Sequence, residues 1–429
     1  MSAALQIELF DESPRETLIL SPDQAKAYDE IVGFLNNPNQ RFHVLKGYAG
    51  TGKSTLVGHL LRNLTKILDA GRLLNPSAPE WEIVLTATTN KAAEALSQIA
   101  GFPVRTIQSH LGLTVFKDYR TGQTSLRRKR NSTELTNQII VIDEASYADY
   151  ILHRFIRELT KDCKVLFIGD PTQLLAVGAV DAPVFNASYP TSELSAVMRQ
   201  AKGNPIIELA TMFREVVKGA SFFSFAPDGQ KIRHLPREAF GQELLKEFGR
   251  PDWRFNHSKV LAWTNKTVID YNTHIRASVQ GEPELQQGDY AICNTFVGNK
   301  DYSLKTDQLV CLTKIGRPCS EYGVAGRFVT LDEKAEFFLP NSRDDWKKCV
   351  NMAKASDNFR LLQHIDSYWV DLRAAYACTI NKSQGSTYDR VFIDLDDLRK
   401  CNSANQLARM LYVAVSRARD QVTFTGDLV

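Results

Sequence analysis

The apolar positions divide the chain into segments with different rhythms. Phe42 to Lys46 is a short strand-like run that reaches Gly47, and beyond that turn Leu56, Leu60, Leu64 and Leu68 recur at helical spacing. Ile139 to Ile142 is an unbroken apolar run, the pattern of a parallel strand buried on both faces. "KVLFIG", ending at Gly169, predicts a third strand, and "VLAW" another before Asn265. Alternating residues on both sides of Thr121–Gly122 predict a β-hairpin with a polar turn. From about 281 to 371 the α/β rhythm breaks. "GDYAICNTFVGN", "DQLVCLTKIG" and "GRFVTLD" are short strands divided by Gly, Asn and Asp, with "EFFLP" after them, and predict a small inserted β-barrel. Near the C-terminus Leu407, Met410, Leu411 and Val415 return to helical spacing and end at Arg417 and Arg419. The fold class is α/β.

Composition narrows this only a little. A chain of 429 residues suggests two or more domains, and 43% hydrophobic with 24% charged residues is typical of a folded soluble protein. The start, "MSAALQIELFDESPRE", lacks a basic region followed by an apolar run, so no signal peptide is expected. No apolar stretch approaches the roughly 20 residues needed to cross a bilayer. The seven cysteines form no C-x-x-C pair, which argues against a zinc site or disulfide framework and for a reducing, cytoplasmic setting. The net charge of +3 neither requires nor excludes nucleic acid.

The strongest chemical signal follows the first strand. Gly47, Gly52, Lys53 and Ser54 in "GYAGTGKST" satisfy G-x-x-x-x-G-K-[ST] between a strand and a helix. With Gly50, Thr51 and Thr55 beside them, they form a loop whose N–H groups curl around phosphate oxygens at a helix N-terminus. Lys53 reaches the β- and γ-phosphates of ATP, and the Ser54 hydroxyl suits Mg²⁺. In "VIDEAS", Asp143 and Glu144 follow the apolar run, at the strand end where open α/β sheets bind ligands. Asp143 fits the carboxylate that holds Mg²⁺ through water, and Glu144 fits the base that positions the attacking water. Two acids alone would read as a solvated loop. With the P-loop they indicate a nucleotide hydrolase. After the third strand, "GDPTQ" offers Gln173 as a γ-phosphate sensor, while a plain turn also accounts for Asp170. Gln24 lies just inside a helix start capped by Ser21, with Pro22 first, and can pair with both donor and acceptor of an adenine edge.

Taken in order, the glutamine motif, "GYAGTGKST", "VLTATTNKAAEAL", "TIQSHLGL", "VIDEAS", "GDPTQLLAVG", "LSAVMRQ", "VLAWTNKTVIDYN", "TINKSQGSTYDRVFIDL" and "LYVAVSRAR" resemble superfamily 1 helicases, most closely the RecD and phage Dda group. The match runs from about Gln24 to Arg419. One departure is Asn381, where the family commonly has histidine. The resemblance implies two RecA-like P-loop lobes with ATP between them, single-stranded DNA across their tops and type B, 5′ to 3′ polarity. It divides the chain into lobe 1A (1–111 and 135–200), a hairpin insertion 1B (112–134), lobe 2A (201–280 and 372–429) and a barrel insertion 2B (281–371). Arg417 takes the position of the motif VI arginine, which neutralises charge developing on the γ-phosphate and is worth about a thousand-fold or more. Arg419 leaves the helix in another direction and reads as surface. Arg199, in "VMRQ", resembles a further arginine on the γ-phosphate, and Gly385 joins the nucleotide set.

Small hydroxyl, amide and cationic groups at strand ends suit DNA phosphates without reading sequence. Those expected here are Thr86, Thr88, Asn90, Lys91 and His110 in the first lobe, and Asn265, Lys266, Thr379, Lys382 and Ser383 in the second. His110 singly reads more often as a structural histidine, and Trp263 equally as core. The run Arg127 to Arg130 either tracks phosphates or forms a solvated loop. Related helicases carry at this place the pin that splits the duplex, so Phe116 or Leu126 is expected to stack on the terminal base pair. The implied partners are single-stranded DNA and duplex junctions, with replication or recombination proteins and no membrane, for a monomer. Two alternatives stay open. One is an RNA-directed type B helicase, since no residue here reads a 2′-OH; the other is a translocase that remodels without unwinding.

Overall fold

The computed structural model describes residues 19–76, 78–101, 103–117, 124–129, 132, 134–176, 179, 181–196, 203–298 and 302–428. Arg199, Thr121, Gly122 and Arg130 lie outside the described residues. The chain forms two compact units. The first takes in the described parts of Met1–Val115, Leu126–Phe223 and Leu411–Ser416; the second those of Phe116–Ser125, Ser224–Met410 and Arg417–Val429.

Up to residue 194 the strands are β1 (Phe42–Gly47), β2 (Glu82–Ala87), β3 (Arg105–Thr106), β4 (Leu113–Lys117), β5 (Thr124–Arg128), β6 (Thr136–Asp143), β7 (Asp162–Gly169) and β8 (Thr191–Leu194). Six of them make a parallel sheet in the order β3-β2-β6-β7-β1-β8. The apolar run of β6 shows why the sheet is buried on both faces. Ile139 and Val141 pack with Leu45, Leu56, Leu60 and Leu64 on one side. Ile140 and Ile142 pack with Val44, Val84, Val165 and Phe167 on the other. A parallel sheet demands this double cover, because its crossovers run over both faces. Strands β4 and β5 pair as a separate two-stranded ribbon. Leu126 of β5 is partly buried against the core cluster that includes Ile107, Leu111 and Leu113, and Phe116 is 42% exposed.

The second unit holds β9 (Ile232–His234), β10 (Ser258–Ala262), β11 (Tyr290–Cys293), β12 (Val297–Gly298), β13 (Ser303–Leu304), β14 (Leu309–Glu321), β15 (Val324–Leu331), β16 (Ala335–Pro340), β17 (Leu372–Ala374), β18 (Ala377–Thr379), β19 (Tyr388–Asp394) and β20 (Ala418–Thr425). A parallel sheet runs β18-β10-β19-β20-β9, and an antiparallel sheet runs β16-β15-β14-β11-β17. The antiparallel sheet occupies the segment where the α/β rhythm fails, and it also recruits β17, just past residue 371. Two helices, Arg343–Ala355 and Phe359–Tyr368, lie inside that segment, which the strand pattern alone did not anticipate. The helix Pro205–Val217, expected in the second lobe, groups with the first unit.

Candidate nucleotide site and nucleic-acid interface

The P-loop links β1 to the helix Lys53–Leu74. Gly52 caps that helix at φ 78°, a left-handed backbone natural to glycine. A Cβ on Gly47 would stand 2.5 Å from the Lys53 side chain, so only glycine lets the lysine fold over the loop. Lys53 Nζ donates to Gly47 O and, at 3.1 Å, to Tyr48 O. Ser54 and Thr55 are exposed at the helix start. Gln24 is 1% exposed and its amide is committed within the protein. Its Oε1 accepts from Ser21 N (3.0 Å) to complete a capping box, and Nε2 donates to Gly52 O (3.2 Å) and Thr51 O (3.5 Å). Here the glutamine fastens the first helix to the phosphate loop; both polar ends of the group expected to read adenine are in use.

Asp143 closes β6, and Glu144 follows in the left-handed region at φ 52°. That turn costs a glutamate about 1 kcal/mol or more, strain of a kind that collects at functional sites. The Glu144 N–H donates to Asp143 Oδ1 (2.8 Å). Desolvation raises the Asp143 carboxyl above its ordinary value, against the pull of that N–H and of nearby Lys53. An acid drawn into the protein beside a single lysine suits a divalent cation, and Ser54 and Asp143 are the residues that would hold Mg²⁺. Strand β7 lies between β1 and β6 and ends in Asp170 and Gln173, both buried. The sequence expectation that this strand end stands beside the acids is met.

The proposed single-strand contacts sort into two sets. Thr86 is fully buried and donates to Val141 O (2.8 Å), and Ser383 is fully buried and donates to Ile380 O (2.7 Å). Neither can meet a phosphate, so both are withdrawn. Thr88, 6% exposed, donates to Glu144 O (2.7 Å), and Thr379, 9% exposed, accepts from Lys382 N at a helix start. They brace the strand ends. His110 donates from Nε2 to Gln138 Oε1 (2.9 Å), whose amide in turn donates to Glu82 (2.6 Å), and burial lowers the imidazole below its ordinary value. Its structural reading holds. Asn90 and Lys91 are half-buried at the start of the helix Asn90–Ala100. Asn265 and Lys266 are exposed at the start of the helix Asn265–Gln280, with Lys266 paired to Asp270. Arg417 is 8% exposed and donates to Ser386 O (3.2 Å), while Arg419 pairs at the surface with Asp389 (2.9 Å). Gly385 adopts φ 77° in the turn after Lys382.

Residues 19–231 match the family described as AAA domain, and residues 374–425 match the UvrD-like helicase C-terminal domain. The chain is 29% identical to the ATP-dependent RecD2 DNA helicase of Deinococcus radiodurans, over 95% of this chain and 49% of that protein. It is 25% identical to the ATP-dependent DNA helicase dda of Enterobacteria phage T4, over 94% of this chain and 99% of the phage protein. The chain is similar to the RecD/Dda-like helicases of superfamily 1. Its fold is that of the Bacteroides Pif1 helicase solved with ADP-AlF3 and ssDNA, at a TM-score of 0.50 and 15% identity, covering 96% of this chain and 94% of that one.

In this RecD/Dda-like chain one further tyrosine touches the nucleotide loop. The Tyr412 hydroxyl, 1% exposed, accepts from Ala49 N (2.8 Å) and donates to Asp170 Oδ2 (2.5 Å). It ties the P-loop to the end of β7. Tyr412 stands inside the quoted "LYVAVSRAR", but an apolar helical stripe gives no sign that one of its members ends in a needed hydroxyl.

Proposed function

We propose that this protein is an ATP-dependent DNA helicase that moves 5′ to 3′ along single-stranded DNA and opens duplex ahead of it. The observation that carries the reading is the convergence of Lys53, Asp143, Glu144 and Gln173 at the C-terminal edge of one parallel sheet. Lys53 leaves its carbonyl partners for the β- and γ-phosphates, and the loop N–H groups hold the phosphate oxygens. Bound Mg²⁺ would neutralise part of the phosphate charge, with Ser54 and Asp143 as its protein partners. Glu144 takes a proton from the attacking water, and Gln173 senses the γ-phosphate. Arg417 and Arg199 supply positive charge where the transition state gathers negative charge, a role supported by their motif positions. Asn90, Lys91, Asn265, Lys266 and Lys382 grip the backbone of the strand, and Phe116 stands at the duplex end. The polarity rests on the type B resemblance.

Glu144→Gln provides the test. It should bind ATP with near-normal affinity yet lose turnover by about a hundred-fold or more, as loss of a general base does. In the unaltered protein, single-stranded DNA should stimulate hydrolysis more than RNA of the same length. Full turnover in the variant removes Glu144 from the chemistry, and stronger stimulation by RNA moves the protein to the RNA-directed type.

A further inference from the structure

Lys382 belongs to the proposed single-strand contact, yet its ammonium already has an anion. It donates to Asn294 Oδ1 (2.8 Å) and Asn294 O (3.3 Å), and Asp307 Oδ1 lies 2.7 Å away. The lysine side chain remains 25% exposed, so the pair is reachable from solvent. Asp307 is an unusual counter-ion. The oxygen that faces Lys382 is buried, so the pair is shielded from water on the aspartate side while the lysine stays open to solvent. Its backbone is left-handed at φ 65°, in the short connection between β13 and β14. Aspartate is one of the few residues apart from glycine that tolerates this region.

The surrounding groups keep that arrangement in register. The Asn294 amide donates to Asp371 Oδ2 (2.6 Å), and Asp371 is ion-paired with Arg343 and stands 3.7 Å from Arg373. Arg373 donates to Asn265 Oδ1 (3.0 Å). Thus Asn265 and Lys382, two of the groups assigned to the strand, are joined through Asp371 to the antiparallel segment that carries Asn294 and Asp307.

We propose that Asp307 occupies a phosphate position on Lys382, and that a backbone phosphate of the bound single strand displaces its carboxylate there. The inference rests on the reading of Lys382 as a strand contact. A carboxylate and a phosphodiester are both oxyanions that accept ammonium hydrogens, so the two compete for Lys382. A resident anion stabilises the strand-free state, so it weakens each contact and speeds its release. A protein that steps along a strand must make and break each such contact in turn.

The experiment measures affinity for a fluorescent oligothymidylate, without nucleotide, across a range of salt, for the parent protein, Asp307→Asn, Lys382→Ala and the double variant. Asparagine keeps the shape of Asp307 and tolerates the same backbone, and thermal unfolding checks that each variant folds. Asp307→Asn should tighten binding by about two- to five-fold at low salt, the scale of one partly exposed ion pair. The slope of log affinity against log salt should steepen by roughly 0.7, one single-strand phosphate contact. Lys382→Ala should weaken binding and abolish the gain from Asp307→Asn. Unchanged or weaker binding by Asp307→Asn overturns the proposal. So does an equal gain in the Lys382→Ala background, which would mean general repulsion. If Lys382→Ala binds like the parent, the lysine is no strand contact and the inference falls with it, whereas stimulation of hydrolysis by single-stranded DNA still decides the helicase reading separately.

Discussion

Replacing Gln24 by alanine separates two roles that one side chain is able to play. In the structure the amide completes a capping box with Ser21 and holds the carbonyls of Gly52 and Thr51. Loss of the cap costs about 1 kcal/mol, and loss of one sound side-chain to backbone hydrogen bond about 1 kcal/mol more. The 3.5 Å contact to Thr51 adds little. About 2 kcal/mol in a unit of this size lowers the melting temperature by roughly 4–8 °C. The P-loop is loosened by the share of its single firm bond, so nucleotide affinity should fall by roughly five-fold. That loss reaches the phosphates and not the base, so ATP and GTP should weaken together. Calorimetric titration of both nucleotides into the parent and variant, beside thermal unfolding, measures each part. A selective loss of ATP, with GTP binding unchanged and the melting temperature intact, would refute the positioning role and restore an adenine-reading one.

Arg417→Ala should bind ATP almost normally but hydrolyse it about a thousand-fold more slowly under saturating single-stranded DNA. Arg419→Ala, which loses only a surface pair with Asp389, should stay within about two-fold in single-turnover hydrolysis, and a reversed order would misplace the arginine within "SRAR". Lys164 is 4% exposed and donates to Phe34 O, Asn37 O and Gln40 O, and burial pushes its ammonium down to about 8 from an ordinary 10.5. Between those values the unfolded chain holds a proton that the folded chain has released, so stability relative to Lys164→Met should rise with pH across that window, by up to about 3 kcal/mol. Parallel denaturation curves at pH 7.5 and about 10.5 would show that the three carbonyls cancel the effect of burial. Replacing residues 114–126 by a short Gly-Ser link should spare DNA-stimulated hydrolysis while duplex opening falls steeply, because base–aromatic stacking of about 1–3 kcal/mol at Phe116 is comparable with one base-pair step. Equal loss of both rates would make the hairpin a structural element only.

The nucleotide end of the site was legible because its chemistry is local. A glycine loop between strand and helix, and two acids after an apolar run, state their own context in a few residues. The strand contacts were less legible. Thr86 and Ser383 have the chemistry of phosphate ligands, but a period of two along a strand, or one step around a helix turn, decides whether a hydroxyl faces out or in. Both face in. The helix Arg343–Ala355 escaped the strand-based reading because only Cys349 and Ala353 are buried along it, too weak an apolar stripe to register against the surrounding strands. Its signals were polar ones, the Ser342 cap and the first-turn Asp344 and Asp345. The network through Asp307, Asn294 and Asp371 joins residues far apart in the chain, which no spacing rule reveals.

Strand displacement from tailed duplexes shows at once whether the protein opens DNA and in which direction it moves. A labelled duplex with a 5′ single-stranded tail, the same duplex with a 3′ tail and a blunt duplex are each incubated with the protein, with and without ATP. ATP-dependent displacement is expected from the 5′-tailed duplex, with little from the other two and none in the Glu144→Gln variant. Displacement confined to the 3′-tailed duplex would contradict the polarity, and hydrolysis stimulated by DNA without displacement from any duplex would contradict the helicase.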